Sequence, residues 1–148
     1  MSDAVLVQPV RGWSVDSFKA FWAKPQLAQV PNILDVVTRD IVGYWPRPIG
    51  AIRDPRRYVD VIAGILTVCP DFSLSIGEHA STGDFHFIRW IAHGTAPEGR
   101  FEFTGCDRVQ TRAGQVCENY IFCDHPFFGR VAEWLASRPW SSPSSIGG

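Results

Sequence analysis

The stretch that decides the fold runs from Gly83 to Asp124 and reads GDFHFIRWIAHGTAPEGRFEFTGCDRVQTRAGQVCENYIFCD. Apolar and polar residues alternate along it, with interruptions at two short segments that contain Gly, Pro or Ala. A period of two is typical of a half-buried β-strand, because successive side chains point to opposite faces of a sheet. We therefore predict three long strands joined by two tight turns. One carboxylate, Asp107, lies in the middle of an otherwise apolar row.

The second turn, at residues 111–115, sets the predicted register of the last two strands. A two-residue turn would place Ala113 at positive φ, which is costly for a residue with a Cβ atom. A three-residue loop with Gly114 in the left-handed conformation avoids this cost. That loop pairs Thr111 with Gln115 and determines every pair beyond them.

This register gives Asp107 a polar neighbour and leaves the rest of its row apolar. It places Asp107 opposite Asn119, and it places Arg108 opposite Glu118 on the other face as a favourable charge pair. A slip by one residue would split that pair and turn one strand over. The apolar face then consists of Phe101, Phe103, Gly105, Asp107, Val109, Cys117, Asn119, Ile121 and Cys123.

The first turn, a four-residue hairpin loop at residues 96–99, sets the register of the preceding strand. It pairs Asp107 with Ile88 and Gly105 with Trp90. Because glycine has no side chain, Gly105 leaves room for the Trp90 indole or for a ligand. We expect Trp90 to lie over Gly105, beside Asp107.

The N-terminal half predicts helices. The spacing of apolar residues predicts a first helix with Ser14 or Asp16 as its cap, which ends or bends at Pro25. A second short helix begins near Pro31 and carries Ile33, Leu34, Val36 and Val37. A third helix follows Asp54 as its cap, with Pro55 at its first position. The remaining predictions are a strand from Asp40 to Trp45, a loop from Gly50 to Pro55, a strand from Phe72 to Ile76, a turn at residues 81–84 and a last short helix or a closing loop within residues 125–136.

This order of elements predicts an α+β fold, because the later strands are joined by turns too short to hold helices between parallel strands. We expect a single domain over residues 14–136. An irregular arm at residues 1–13 would precede it. A flexible tail at residues 137–148, small and rich in Pro and Ser, would follow it.

Composition excludes several classes of function. The net charge is −1 and the sequence has no basic stripe, which argues against nucleic acid as a partner. No apolar segment is long enough to span a bilayer, so no membrane partner is expected. The four cysteines lack the spacing of a metal site, so we expect reduced thiols, no metal and a cytoplasmic location.

In their order, the segments DIVGYWP, PDFSL, IRWIAHGT, FTGCDRV and GQVCENYIFCD resemble the SnoaL-like proteins of the nuclear transport factor two-like, cystatin-like superfamily. The resemblance covers about Phe18 to Asp124. It implies a cone in which a strongly bent antiparallel sheet wraps around helices and encloses a cavity. Members include polyketide cyclases, ketosteroid isomerases, limonene epoxide hydrolases, dehydratases and non-catalytic binding domains. Many form dimers through the outer face of the sheet.

The sequence departs from two of these activities. Ketosteroid isomerases carry a catalytic Asp before a Pro at the end of the first strand, and here Trp45 precedes Pro46. Limonene epoxide hydrolases use an acid on the last strand, and here Ile121 holds that position. SnoaL-type cyclases use a strand Asp as general acid/base in an aldol step, and Asp107 resembles the Asp of their G-x-D motif.

The resemblance and the register together define a candidate site. The catalytic candidates are Asp107, Asn119 as its orienting partner, and His86 farther along the same face. The substrate-binding candidates are Tyr44, Trp45, Ile88, Trp90 and Ile121, although strand alternation sends only one of Tyr44 and Trp45 inward.

Two functions follow from this site and remain alternatives. One is cofactor-free acid–base catalysis, such as aldol cyclisation, isomerisation or dehydration, on an apolar or aromatic small molecule. The other is a non-catalytic ligand-binding or dimerisation module in which Asp107 is structural, satisfied by Asn119 and a backbone group. Under either function we expect no cofactor and a homodimer. A deep cavity with Asp107 exposed to it would favour the enzyme, and a cavity filled by Phe and Trp would favour the module.

Overall fold

The computed structural model describes residues 12–137. The expected arm and tail lie mostly outside the described residues. The helices are α1 (Val15–Ala23), a 3₁₀-helix (Leu27–Val36), α2 (Pro55–Val68) and α3 (Phe127–Ala136). The strands are β1 (Val37–Trp45), β2 (Gly50–Arg53), β3 (Ser73–Thr82), β4 (Phe85–Ala96), β5 (Gly99–Arg112) and β6 (Gln115–Phe122). None of the helices in the described part of the chain is long and apolar enough to cross a membrane.

The predicted cap of α2, Asp54, is confirmed, and of the two candidate caps of α1, Ser14 and Asp16, the structure selects Ser14. The Ser14 hydroxyl accepts a hydrogen bond from the backbone N–H of Ser17 at 3.0 Å, which satisfies an orphan donor of α1. At α2, the Asp54 carboxylate accepts from the backbone N–H of Arg56 at 2.8 Å, and Pro55 is the first helical residue.

Three element boundaries predicted in the N-terminal half are wrong. Gly50–Arg53, predicted as a loop, forms strand β2 because its backbone pairs with β1. Only one of its four residues, Ile52, is buried, so the sequence shows no alternation of apolar and polar residues there. The second helix begins at Leu27 rather than near Pro31 and is a 3₁₀-helix. Val37 belongs to β1 rather than to that helix, so the strand also begins before Asp40.

The six strands form one sheet in the order β2-β1-β6-β5-β4-β3. The α+β class is confirmed, and helices pack on this sheet. The sheet is mixed rather than purely antiparallel, because β1 pairs with β6 in parallel. The two strands are far apart in sequence, so no tight turn imposes an antiparallel direction on them. Strand β3 also runs on to Thr82, so the turn before β4 is shorter than predicted.

The predicted register of the β5–β6 hairpin is wrong. Arg112 pairs with Gln115 across a two-residue turn, in which Ala113 has φ 54° and Gly114 has φ 81°. The register then shifts between the Thr111–Val116 and Gln110–Glu118 pairs, because Cys117 is a bulge residue that is not paired with a residue of β5. As a result Asp107 lies opposite Ile121 instead of Asn119.

The two errors in this hairpin compensate each other. The turn moves the register by one residue and the bulge at Cys117 moves it by a second residue, so side chains beyond the bulge keep the predicted face. Arg108 still forms an ion pair with Glu118, now as a diagonal neighbour. Cys117 leaves the apolar face, and Val116, which is 3% exposed, takes that position.

The predicted register of β4 and β5 is confirmed, but Ala96 pairs with Gly99, so the loop between these strands has two residues instead of the predicted four. Ile88 lies opposite Asp107, and Trp90 lies opposite Gly105. A Cβ atom at Gly105 would come within 2.3 Å of the Trp90 indole. Glycine is therefore required here by the indole that covers it.

Candidate functional site

A cavity of about 240 Å³ lies between the helices and the inner face of the sheet. Its wall is mostly aromatic and aliphatic, with contributions from α1, the 3₁₀-helix, α2 and the sheet. The aromatic part of the wall includes Phe18, Phe21, Trp22, Trp45, Phe72 and Trp90. The cavity remains open in spite of these side chains, and Asp107 is part of its wall.

Asp107 is buried and hydrogen-bonded through both carboxylate oxygens. Its side chain comes from the middle of β5, and the residue is 6% exposed. The indole N–H of Trp90 donates to Oδ1 at 2.8 Å. The Nδ2 amide of Asn119 on β6 donates to Oδ2 at 3.1 Å. Asn119 is thus the partner that the sequence predicted, although the register that led to it is wrong.

Tyr58 of α2 extends this network and is the site residue that the sequence analysis missed. Its hydroxyl donates to Oδ1 of Asn119 at 2.7 Å in the buried interior, and the ring lines the cavity. A Cβ atom at Gly43 would come within 2.7 Å of the Tyr58 ring, so the sheet leaves space for it. A signal was present, because a buried tyrosine hydroxyl nearly always needs a partner.

The buried environment of Asp107 brings the pKa of its carboxyl group close to neutral pH. Burial raises the pKa of Asp107 to about 6, and the hydrogen bonds from Trp90 and Asn119 oppose that rise. Burial also raises the pKa of Tyr58, and the charge of Asp107 raises it further. Tyr58 therefore stays protonated as a donor, whereas Asp107 can either accept or release a proton near neutral pH.

The predicted substrate-binding residues divide between two faces of the sheet. Trp45, Trp90 and Ile121 line the cavity. Tyr44 lies on the outer face, where its ring stacks on Tyr120 with centroids 4.8 Å apart. Ile88 is fully buried and pairs with Asp107, but it is not part of the cavity wall.

His86 lies on the same face of the sheet as Asp107, but its contacts are with Ser81 and Trp13 and not with Asp107. Its Nδ1 atom is 2.7 Å from the hydroxyl of Ser81, and its ring lies 5.0 Å from that of Trp13. In the sheet, His86 pairs with Val109, whereas Asp107 pairs with Ile88, two residues farther along β4. Among the described residues that line the cavity, His86 does not appear.

Comparison with known proteins identifies a family for this chain and solved structures with a similar fold. The profile of the SnoaL-like domain family matches residues 15–119. A cystatin-like protein of unknown function from Xanthomonas campestris superposes with a TM-score of 0.64 at 17% identity, over 79% of this chain and 95% of that one. None of the curated protein sequences matches.

Two further solved structures are similar. A candidate SnoaL-like polyketide cyclase from Jannaschia sp. CCS1 has a TM-score of 0.64 at 14% identity, over 84% of this chain and 92% of that one. A hypothetical protein with a ketosteroid isomerase-like fold from Catenulispora acidiphila DSM 44928, in complex with trimethylamine, has a TM-score of 0.65 at 13% identity, over 74% and 84%. At these identities the likeness shows the fold.

Proposed function

Because this chain belongs to the SnoaL-like domain family, we propose that it binds an apolar or aromatic small molecule and that Asp107 acts on the molecule as a general acid/base without a cofactor. One observation carries the proposal, namely a buried carboxylate in the wall of a cavity of about 240 Å³. A carboxyl group near its pKa can take a proton from one carbon or oxygen and return it to another. Aldol cyclisation, isomerisation and dehydration all need this transfer.

The surrounding side chains have distinct roles in this proposal. Trp90 and Asn119 hold the Asp107 carboxylate in one orientation through their hydrogen bonds. Trp45 and Ile121 belong to the apolar wall that would hold a flat ligand against the acid. Of the described residues that line the cavity, Asp107 alone carries a charge near neutral pH. The wall therefore favours an uncharged, apolar ligand body.

The relatives support the same class of function. The Jannaschia protein is a candidate polyketide cyclase, and the Catenulispora protein holds a small organic molecule, trimethylamine. Polyketides are apolar and rich in carbonyl groups, which suits a cavity with one acidic group. The proposed substrate class for this chain is accordingly a carbonyl-containing apolar or aromatic molecule.

The alternative is a non-catalytic binding module, and a specific observation favours it. Both oxygens of Asp107 already accept hydrogen bonds within the protein, as expected of a buried structural carboxylate. In that case the cavity would still take an apolar ligand, and Asp107 would stabilise the junction of β4, β5 and β6.

Turnover of an identified ligand separates the two functions. Native mass spectrometry of the purified protein, followed by extraction, would identify the bound molecule and its chemical class. With that molecule or a close analogue, we expect Asp107→Asn to lower kcat by about 10²-fold or more, since general acid–base catalysis contributes about 10²- to 10⁴-fold. Asp84→Asn, in the exposed β3–β4 turn, is the matched control. Turnover by wild type that Asp107→Asn leaves unchanged would rule out Asp107 as the acid/base, and no turnover of the ligand by wild type would leave only the binding module.

We also propose a homodimer formed through the outer face of the sheet. This face exposes aromatic side chains in a stacked row, with Tyr120 between Tyr44 and Phe122. Phe122 is 52% exposed and Tyr120 is 39% exposed. A contiguous exposed aromatic patch is a common mark of a protein–protein interface.

A cytoplasmic location remains part of the proposal. The four cysteines, Cys69, Cys106, Cys117 and Cys123, are free thiols. Unpaired cysteines are the usual state in a reducing compartment. Localisation of a tagged chain in its native host would test this directly.

A further inference from the structure

We infer that Tyr58 is a positioning residue whose hydroxyl holds the Asn119 amide with its NH₂ group toward Asp107, so that the cavity accepts an uncharged ligand that brings a hydrogen-bond donor to Asp107. The donor would be a phenol or enol hydroxyl, or an N–H group. The ligand class rests on the binding function proposed above. The role of Tyr58 rests on the geometry of the network alone.

The hydrogen bonds define the direction of the network. Tyr58 donates to Oδ1 of Asn119 at 2.7 Å, so the other end of that amide, Nδ2, points to Asp107 and donates at 3.1 Å. A flipped amide would present Oδ1 to the Asp107 carboxylate, where two acceptors would repel each other, and would remove the acceptor of the Tyr58 hydroxyl. Tyr58 therefore favours the amide orientation that suits an ionised Asp107.

This orientation determines what Asp107 can offer to a ligand. Both carboxylate oxygens receive a donor from the protein, one from Trp90 and one from Asn119. Each oxygen retains a further lone pair, and an ionised carboxylate has no proton to give. A ligand that reaches Asp107 in this state must therefore supply the proton of the hydrogen bond.

Few other ionisable groups influence Asp107. Three polar side chains of the described residues face Asp107 from the neighbouring elements, namely Tyr58 on α2, Trp90 on β4 and Asn119 on β6. Of these three, only Tyr58 is ionisable, and it stays protonated. Burial is the largest cause of the raised pKa values of the Cys106 and Cys123 thiols, and the charge of Asp107 raises both pKa values further. In the described part of the chain, no cationic side chain lines the cavity, so an anionic ligand would meet the Asp107 charge without compensation.

The pKa of Asp107 tests the role of Tyr58 without any substrate. It would be measured from the side-chain carboxyl carbon by NMR on protein labelled with ¹³C-aspartate, with Asp107→Asn used to assign the signal. In Tyr58→Phe the Asn119 amide is free to flip, and its Oδ1 can then accept a hydrogen bond from the protonated, neutral Asp107 carboxyl group. We therefore expect the pKa of Asp107 to rise by about half a unit or more. An unchanged or lowered pKa would overturn the inference.

Two further variants separate positioning from a general structural effect. Tyr120→Phe removes a hydroxyl from the outer face of β6, one residue from Asn119, and we expect it to leave the pKa of Asp107 unchanged. Asn119→Leu removes the amide itself and should raise that pKa. In the Asn119→Leu background, Tyr58→Phe should then cause no additional rise, because Tyr58 acts through Asn119. An additional rise of equal size would show that Tyr58 acts on Asp107 by another route.

A pair of probe molecules tests the ligand class. At about pH 8, where Asp107 is ionised, we expect 2-naphthol to bind roughly tenfold more tightly than its methyl ether, because only the naphthol donates a hydrogen bond to a charged group. The anion 2-naphthoate should bind more weakly than either probe. In Asp107→Asn the naphthol preference should shrink. Equal affinities of the two neutral probes, or binding of neither, would overturn the ligand class.

These measurements remain separate from the test of catalysis. A protein without turnover would contradict the proposed reaction and would leave both the pKa result and the probe preference unaffected. Conversely, an unchanged pKa in Tyr58→Phe would remove the positioning role of Tyr58 even if Asp107 proved catalytic.

Discussion

Asp107 shows how burial and hydrogen bonding compete at a single side chain. Two hydrogen bonds stabilise its ionised form, yet its pKa rises from 3.8 to about 6 because burial disfavours the charge more strongly. At 1.36 kcal/mol per unit, this rise corresponds to a cost of about 3 kcal/mol for keeping the buried charge in the folded protein. A protein that accepts such a cost at one residue commonly uses that residue in function.

This cost predicts a pH-dependent effect of Asp107→Asn on stability. Below about pH 4 the carboxyl is protonated in the folded and unfolded chains, and Asp107 carries no such cost. As the pH rises from about 4 to about 6, only the unfolded chain loses its proton, so the folded state loses stability relative to it. Above about pH 6 the cost of the charge is fully present.

The free energy of unfolding, measured by urea denaturation at about pH 3.5 and about pH 7.5, tests the effect. The difference between Asp107→Asn and wild type should move in favour of the variant by about 3 kcal/mol between the two conditions. Surface carboxylates titrate in both proteins and cancel in this comparison. A difference that stays constant with pH would contradict the raised pKa.

At the scale of elements, the β5–β6 hairpin combines a strained turn with a bulge. The two-residue turn puts Ala113 at φ 54°, where an L side chain is disfavoured, and the bulge at Cys117 shifts the register by a second residue, which corrects the direction in which the side chains point. The correction keeps Asp107, Val109 and Asn119 on the buried face. The position of the site therefore depends on both features together.

The strain at this turn predicts a stabilising substitution. Ala113→Gly should raise the free energy of unfolding by about 0.5–1 kcal/mol, because the left-handed conformation costs an alanine about 1–2 kcal/mol and glycine little. Gly114→Ala, at φ 81°, should lower it by about 1 kcal/mol and serves as the opposite control. Denaturant titration measures both. A loss of stability in Ala113→Gly would show that the turn is not strained.

At the scale of the whole molecule, the sheet separates two surfaces with different roles. Its inner face carries Asp107, Asn119 and the cavity wall, and its outer face carries the stacked aromatic row that includes Tyr120 and Phe122. Strand alternation produces this separation, since neighbours such as Asn119 and Tyr120 point in opposite directions. Substitutions on the outer face should therefore affect assembly while the cavity is preserved.

The proposed homodimer predicts a monomeric variant. Phe122→Lys should break the dimer, because it places a charge within an apolar interface, and sedimentation velocity would measure the change in mass. Leu27→Lys, on the 3₁₀-helix, is a matched control, since Leu27 is 53% exposed and Phe122 is 52% exposed. Wild-type protein that is monomeric at all accessible concentrations would refute the dimer.

Local patterns in the sequence determined several features of this protein. The period of two and the turn at residues 96–99 determined the β4–β5 register, and with it the contact of Trp90 with Gly105 and Asp107. The cap Asp54 determined where α2 begins, and the sequence limited the cap of α1 to Ser14 or Asp16. These features depend on short-range geometry, since neighbours in a hairpin or in a first helical turn are close in sequence.

Only the tertiary structure decided the remainder. The parallel pairing of β1 with β6, and the hydrogen bond from Tyr58 to Asn119 across 61 residues, join segments that no local pattern relates. Strand alternation left Tyr44 and Trp45 as alternatives, and packing on α2 placed Trp45 inside. The turn type was also decided this way, because the bulge at Cys117 keeps the apolar face buried and thereby offsets the strain at Ala113. Long-range packing energies outweigh local preferences at such positions, which is why the sequence indicated Asp107 with Trp90 and Asn119, whereas Tyr58 became evident only in the structure.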